Sequence, residues 1–253
     1  MEELGLDDPD AAAVEAASFP AERVEPYVSI LRERMGDYEQ LEPWPVVEPL
    51  FYPRVFLAAL PHVRAYHAVR GIPDGVARAT LADLGRVMRI YREANGAPGL
   101  DEQNWLTLHW RGALFELGRL QFERRGGGDL GLHIPGGAPL DPAAVDASLG
   151  QARPFFDRHF PEERHRTATC TSWLLDPQLA EALPPDSNIV GFQRRFELLG
   201  VPQPGDEDVF KFVFRRDDPP LDELPQRTTL ERALVSHLRA GGHWRVRTGR
   251  LRI

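Results

Sequence analysis

Apolar residues along the first hundred positions recur with a helical period. Val24, Tyr27, Val28 and Leu31 share one face of a stretch from about Pro20 to Met35, and Gly36 ends it. Asp8-Pro9 provides a cap and a first-turn proline for a preceding helix over Ala11 to Ser18. Arg54 to Arg70 reads as helix despite Pro61, with Gly71 as its stop. Asp74 opens a helix reaching Ala94, striped by Leu81, Leu84, Val87, Met88 and Tyr91. Between these, Leu41 to Pro53 is crowded with prolines and rings, which predicts an irregular segment packed by its aromatic side chains.

After Gly96 to Gln103 the period changes to alternation. Trp105 to Trp110 and Ala113 to Arg124 read as strands. In the second, Phe115, Leu117, Arg119, Gln121 and Glu123 fall on one face, and Leu114, Glu116, Gly118, Leu120 and Phe122 on the other. Leu130 to Ile134 is a third strand, followed by the loop Pro135-Gly136-Gly137-Ala138-Pro139. Asp141-Pro142 then starts a helix that runs to about His159. Thr167 to Leu175 is a strand and Pro177 to Leu183 a short helix. Asn188 to Leu198 and Val209 to Arg215 read as strands, Thr228 to Ala240 as a helix, and Trp244 to Ile253 as a last strand. Strand, glycine loop, helix, strand is the pattern of a parallel crossover. The chain is therefore expected to be α+β, with a helical N-terminal domain over 1–98 and a mixed, twisted β-sheet flanked by helices over 99–253.

Composition narrows the function classes. A formal net charge of −8 argues against a general nucleic-acid binder. No run of about 18 apolar residues is present, so no membrane span is expected. Met1 to Pro20 is acidic and alanine-rich, without the basic start and apolar stretch of a secretory signal. Cys170 is the single cysteine, so no internal disulfide can form, and the expected compartment is the cytoplasm. Histidines are scattered without ligand spacing, so no metal is expected. Lys211 is the only lysine, leaving arginine to carry the remaining positive charge.

Several residues could carry chemistry. Gly136 and Gly137 lie between a strand and a helix start, where backbone N–H groups can receive a pyrophosphate. An ordinary tight turn is the competing reading. His133 ends one flanking strand, and Cys170 and Ser172 lie two apart on the other. If those strands are parallel neighbours, His133 could face that pair and support a nucleophile. A lone cysteine is more often a small buried hydrophobe. Arg119, Gln121 and Glu123 share a strand face, either solvated or lining a pocket with Glu123 as a base.

Five strings carry a family resemblance: Gly118-Arg119-Leu120-Gln121-Phe122-Glu123, Leu132-His133-Ile134-Pro135-Gly136-Gly137, Cys170-Thr171-Ser172-Trp173-Leu174-Leu175-Asp176, Ser187-Asn188-Ile189, and Phe192-Gln193-Arg194-Arg195-Phe196. Their succession resembles bacterial acyltransferases with a GNAT-like C-terminal domain and a dedicated helical N-terminal domain. The resemblance implies a GNAT-like sheet, acetyl-CoA or another acyl-CoA as acyl donor, and a small-molecule amine that attacks the thioester directly in a ternary complex. It implies that the thioester lies where the strands of His133 and Cys170 splay apart, with Ile134, Gly136 and Gly137 at the coenzyme. Glu123 or His133 would be the base, and Cys170 or Ser172 the acid for the leaving thiolate. Arg119, Gln121, Trp173 and Asn188 would contact the acceptor. The loop after His133 departs from the longer phosphate loop usual in GNAT domains. That departure keeps open a GNAT-shaped binding protein without catalysis. A thioesterase-like hydrolase using Cys170 or Ser172 with His133 is the third reading.

Overall fold

A computed structural model describes all 253 residues. Helices α1 (Asp8–Ala16), α2 (Ala21–Glu33), α3 (Phe51–Arg70), α4 (Asp74–Leu81), α5 (Asp83–Asn95) and α6 (Gln103–Trp110) form the front half. Their buried faces meet in one core that includes Val28, Leu31, Phe56, Val63, Leu84 and Trp110. The aromatic segment packs as expected: Trp44 stacks on Tyr52, and Tyr27 meets Phe51 edge-on. The single helix expected from Asp74 to Ala94 is two helices that join at Ala82.

The back half holds β1 (Leu114–Leu117), β2 (Leu120–Arg124), β3 (Asp129–His133), α7 (Pro142–His159) and β4 (Thr167–Ser172). Short helices α8 (Gln178–Ala182) and α9 (Asn188–Gln193) follow, then β5 (Glu197–Pro204), α10 (Asp206–Val209), α11 (Thr229–Arg239) and β6 (Arg245–Arg252). The six strands make one sheet in the order β1-β2-β3-β4-β6-β5, in which only β3 and β4 are parallel. Asp141 accepts a bond from Ala144 N at 3.0 Å, the cap that its sequence position foretold for α7.

Four expectations fail locally, each for a visible reason. Trp105 to Trp110 is helix α6, not a strand. Leu106 and Trp110, four apart, are both buried in the front core, while Trp105 and His109, also four apart, meet each other at 5.3 Å. Ala113 to Arg124 is a hairpin: Leu117 pairs with Leu120 across Gly118-Arg119, and Gly118 has φ +76°, the positive value that a two-residue turn needs at its first position. Asn188 to Leu198 begins as α9 because Ser187 accepts from Val190 N and caps a helix. Val209 to Arg215 continues α10 into a single wide turn. Phe210 and Phe214 are buried while Phe212 is half exposed, which a strand with period two would not allow.

Cross-strand partners point to the same side of a sheet. Phe115, Leu117, Leu120, Phe122, Leu130, Leu132, Ala168 and Cys170 therefore form one apolar face, and α7 covers it with Val145, Ala152 and Phe156. Glu116, Gln121, Glu123, Gly131, His133, Thr169 and Thr171 form the opposite, polar face.

Arg124 at the end of β2 ties the halves together. Its guanidinium donates to Gly36 O at 3.0 Å and Gly112 O at 2.9 Å, pairs with Glu163, and lies 4.1 Å over the Phe160 ring. Burial alone would raise the Glu163 carboxyl, but hydrogen bonds from His165 and Arg124 outweigh it and hold the group down at about 2. Arg124→Met should cost about 3 kcal/mol, because it strands a half-buried carboxylate and two oriented carbonyl acceptors. A lowered urea midpoint with an unchanged slope is the expected result.

His67 on α3 is buried, and neither ring nitrogen has a partner. Burial pushes its imidazole down to about 4 from 6.5. The unfolded chain thus takes up a proton first on acidification. The associated stability is whole above pH 6.5 and is lost as the pH falls toward 4. His67→Phe should flatten this part of the profile, read from urea midpoints at a series of pH values.

Candidate active site

The parallel ladder between β3 and β4 is short. Asp129, Leu130 and Gly131 pair with Thr167, Ala168 and Thr169, and pairing stops there. Beyond that point Leu132 and His133 are bonded only to β2, and Cys170 to Ser172 only to β6. The facing edges of the two strands carry main-chain groups with no strand partner, so a wedge opens between them toward their C-terminal ends. This is the splay expected from the resemblance.

His133 stands at the mouth of the wedge on the polar face. Its Nε2 lies 2.8 Å from Glu123 Oε2 on the neighbouring strand. The Glu123 side chain is 11% exposed. Burial would raise its carboxyl, yet the bonds from His133 and Arg125 outweigh that and lower it. Glu123 is thus a carboxylate placed to accept an Nε2–H, and in the neutral ring so bonded Nδ1 is the acceptor nitrogen. Arg125 donates to the same carboxylate oxygen through Nε at 3.0 Å and through Nη2 at 2.6 Å. Its guanidinium lies across β3 at Gly131, where a Cβ would come within 2.5 Å of it, so a side chain there would displace Arg125.

The front half supplies the other wall. Trp105 of α6 meets the His133 ring at 4.7 Å and 67°. Its Nε1 donates to Asp83 Oδ2 at 2.9 Å, and His109 Nε2 comes within 2.9 Å of the same oxygen without a well-directed hydrogen bond. Gln121, the cross-strand partner of His133, donates to Glu116 at 3.0 Å. Trp105, Asp83 and Arg125 escaped the sequence reading. Only the spacing of four between Trp105 and His109 signalled a helix there.

The remaining expected site residues are dispersed. Cys170 belongs to the apolar face, opposite to His133, and is 1% exposed. Burial pushes its thiol up to about 12. Ser172 points to that same face, and its Oγ accepts from Leu174 N at 3.1 Å. The expected pairing of His133 with Cys170 or Ser172 therefore does not form, because the parallel register puts the pair out of phase with His133. Arg119 sits in the β1–β2 turn, not on the polar face, and fastens the glycine loop by donating to Pro135 O, Ala138 O and Pro139 O at 2.7–3.0 Å. Ile134 is half-buried, and Gly136 and Gly137 are exposed within that loop, with Arg215 beside Gly136. Trp173 is buried in a third core with Leu234 and Trp244, and Asn188 is exposed on α9.

A mixed sheet thus parts between two parallel strands, with a histidine–carboxylate pair at the opening. Residues 114–251 match the GNAT-like C-terminal domain, and residues 1–112 match the N-acyltransferase N-terminal domain. The chain belongs to the acyltransferase family that joins these two domains. Among solved structures it resembles an acyltransferase mutant in complex with octanoyl-CoA, at 42% identity over 100% of this chain and 86% of that one, with a TM-score of 0.94. It also resembles an acyltransferase in complex with decanoyl-CoA and teicoplanin, at 43% identity over 99% of this chain and 85% of that one, again with a TM-score of 0.94. A complex with CoA and 10C-teicoplanin gives a TM-score of 0.93 at 43% identity, over 99% and 85% of the two chains. No curated protein matches the chain. No helix is long and apolar enough to cross a membrane.

Cys170 should resist a thiol reagent such as Ellman's reagent at pH 8 in the native protein and react stoichiometrically once unfolded. Fast reaction of the folded protein would contradict the burial described above.

Proposed function

We propose that this chain transfers a medium-length acyl group from coenzyme A to an amine on a glycopeptide-class acceptor. The wedge between β3 and β4, with His133 and Glu123 at its mouth, is the observation that carries the reading. The donor length and acceptor class are drawn from the neighbours bound to octanoyl-CoA, decanoyl-CoA and teicoplanin at 42–43% identity. A small amine and acetyl-CoA are the narrower expectations, and the test below includes acetyl-CoA.

In this reading the pantetheine arm enters the wedge and bonds to the unpaired edges of β3 and β4. The pyrophosphate lies by Gly136 and Gly137, whose loop Arg119 holds still, and Arg215 supplies a cation beside it. The thioester carbonyl accepts from free strand N–H groups, which stabilise the charge that develops on its oxygen. The acceptor amine approaches on the polar face, between Trp105 and His133. Its nitrogen bonds to the carbonyl carbon while Nδ1 of His133 takes the amine proton. Glu123 stabilises the resulting imidazolium. The tetrahedral intermediate then expels the CoA thiolate, the C–S bond breaks, and a proton returns to sulfur. No covalent acyl-enzyme is needed, in keeping with the burial of Cys170.

The experiment presents acetyl-, octanoyl- and decanoyl-CoA with teicoplanin and follows thiol release and acceptor mass. Octanoyl- and decanoyl-CoA should give an acylated product, and His133→Ala should slow turnover by roughly 10²–10⁴-fold. Wild-type thiol release no faster than the uncatalysed rate with every donor would refute the reading, as would a His133→Ala variant of full activity.

A further inference from the structure

Asp83 opens α5 in the front half, far in sequence from the strands of the wedge, and its side chain is 4% exposed. Both of its oxygens are committed, and each leads toward His133 by a different route. Oδ2 takes the indole N–H of Trp105, whose ring meets His133. Oδ1 pairs with Arg86, and Arg86 Nη2 donates to Glu116 Oε2 at 2.9 Å. The same Glu116 oxygen receives the Gln121 amide at 3.0 Å, and Gln121 pairs with His133 across β2 and β3. His109 closes the group by lying against both Asp83 and Trp105.

Burying a carboxylate this deeply is unfavourable unless its partners compensate. What the charge does is orient: a single anion sets the indole against the His133 ring and, through Arg86 and Glu116, fixes the side chain of Gln121, whose backbone is paired with that of His133. We infer that Asp83 is a positioning residue for acyl transfer, holding Trp105 and Gln121 in the places that aim the His133 imidazole. This rests on the reading of His133 as the base. It assigns the helical half a part in the chemistry beyond covering the sheet.

The test has an arm that needs no turnover. In the ligand-free protein, the His133 ring-proton resonances are assigned by their loss in His133→Ala, and Trp105→Leu marks their position without the indole. Asp83→Asn should move them toward the Trp105→Leu position, while resonances of α11 and β6 stay in place. The kinetic arm uses decanoyl-CoA and teicoplanin. Asp83→Asn and Trp105→Phe, which lacks the indole N–H, should each lower kcat by roughly tenfold to a hundredfold with KM for decanoyl-CoA unchanged. The double variant should lose no more than Asp83→Asn alone, because that variant already disturbs the Trp105 bond together with the Arg86 pair. Unmoved His133 resonances in a folded Asp83→Asn protein would overturn the inference, as would additive kinetic losses or a rise in KM alone. If Asp83→Asn does not fold, Asp83→Ser takes its place in the same measurement: unmoved His133 resonances overturn the inference and displaced ones support it. A wild type inactive on these substrates would count against the proposed donor and acceptor, and the resonance arm would still judge Asp83.

Discussion

The brevity of the parallel ladder between β3 and β4 is the constraint on which the rest of the structure depends. Three residue pairs join the strands before they part. The sheet tolerates this because each strand keeps a second partner, β2 for β3 and β6 for β4. On the apolar face, Leu130, Leu132, Ala168 and Cys170 still share one core under α7, so the parted strands do not drift. An unpaired main-chain edge in the middle of a sheet is unfavourable when left dry. It becomes an asset once a ligand with amide and carbonyl groups can occupy it.

The two faces of the sheet then divide the labour. Tight apolar packing fixes the strands from one side. The other side is kept polar, and α5 and α6 meet it through paired charges and the Trp105 ring, while Ile72 and Tyr66 of the front half pack on the apolar side. Arg124 draws the loops at Gly36 and Gly112 onto the end of β2. Arg86 bridges Asp83 and Glu116, and Trp105 reaches His133. Charges buried at such a boundary resist sliding, since any shift leaves one unpaired. The histidine–carboxylate pair is thereby held where helix and sheet meet.

Much of the architecture could be read directly. The cap of α7, the crossover from β3 to β4 and the helical period of α2 are local signals, and each appears where expected. Misreadings cluster where apolar residues are dense in both periods. Trp105-Leu106-Thr107-Leu108-His109-Trp110 alternates well enough for a strand, yet Leu106 and Trp110, spaced by four, fill the front core while Trp105 and His109, also spaced by four, meet Asp83. Phe210 to Phe214 has the same ambiguity. Gly118-Arg119 looked like strand interior because its neighbours continue the alternation on both sides of the turn.

Glu123, His133, the glycine loop and the solitary cysteine were visible as candidates in the chain itself, because residue type and local spacing suffice to name them. The family resemblance also implied a wedge between two particular strands. The sequence could not decide that Glu123 and His133 meet, that Cys170 turns its back on them, or that Trp105 and Asp83 arrive from the other half. Alternation along a strand says which residues share a side, but not which sides of two strands coincide. That phase is set by the hydrogen-bond register of β2 on β3 and of β3 on β4. Register is a property of strands already assembled, and only the folded sheet possesses it.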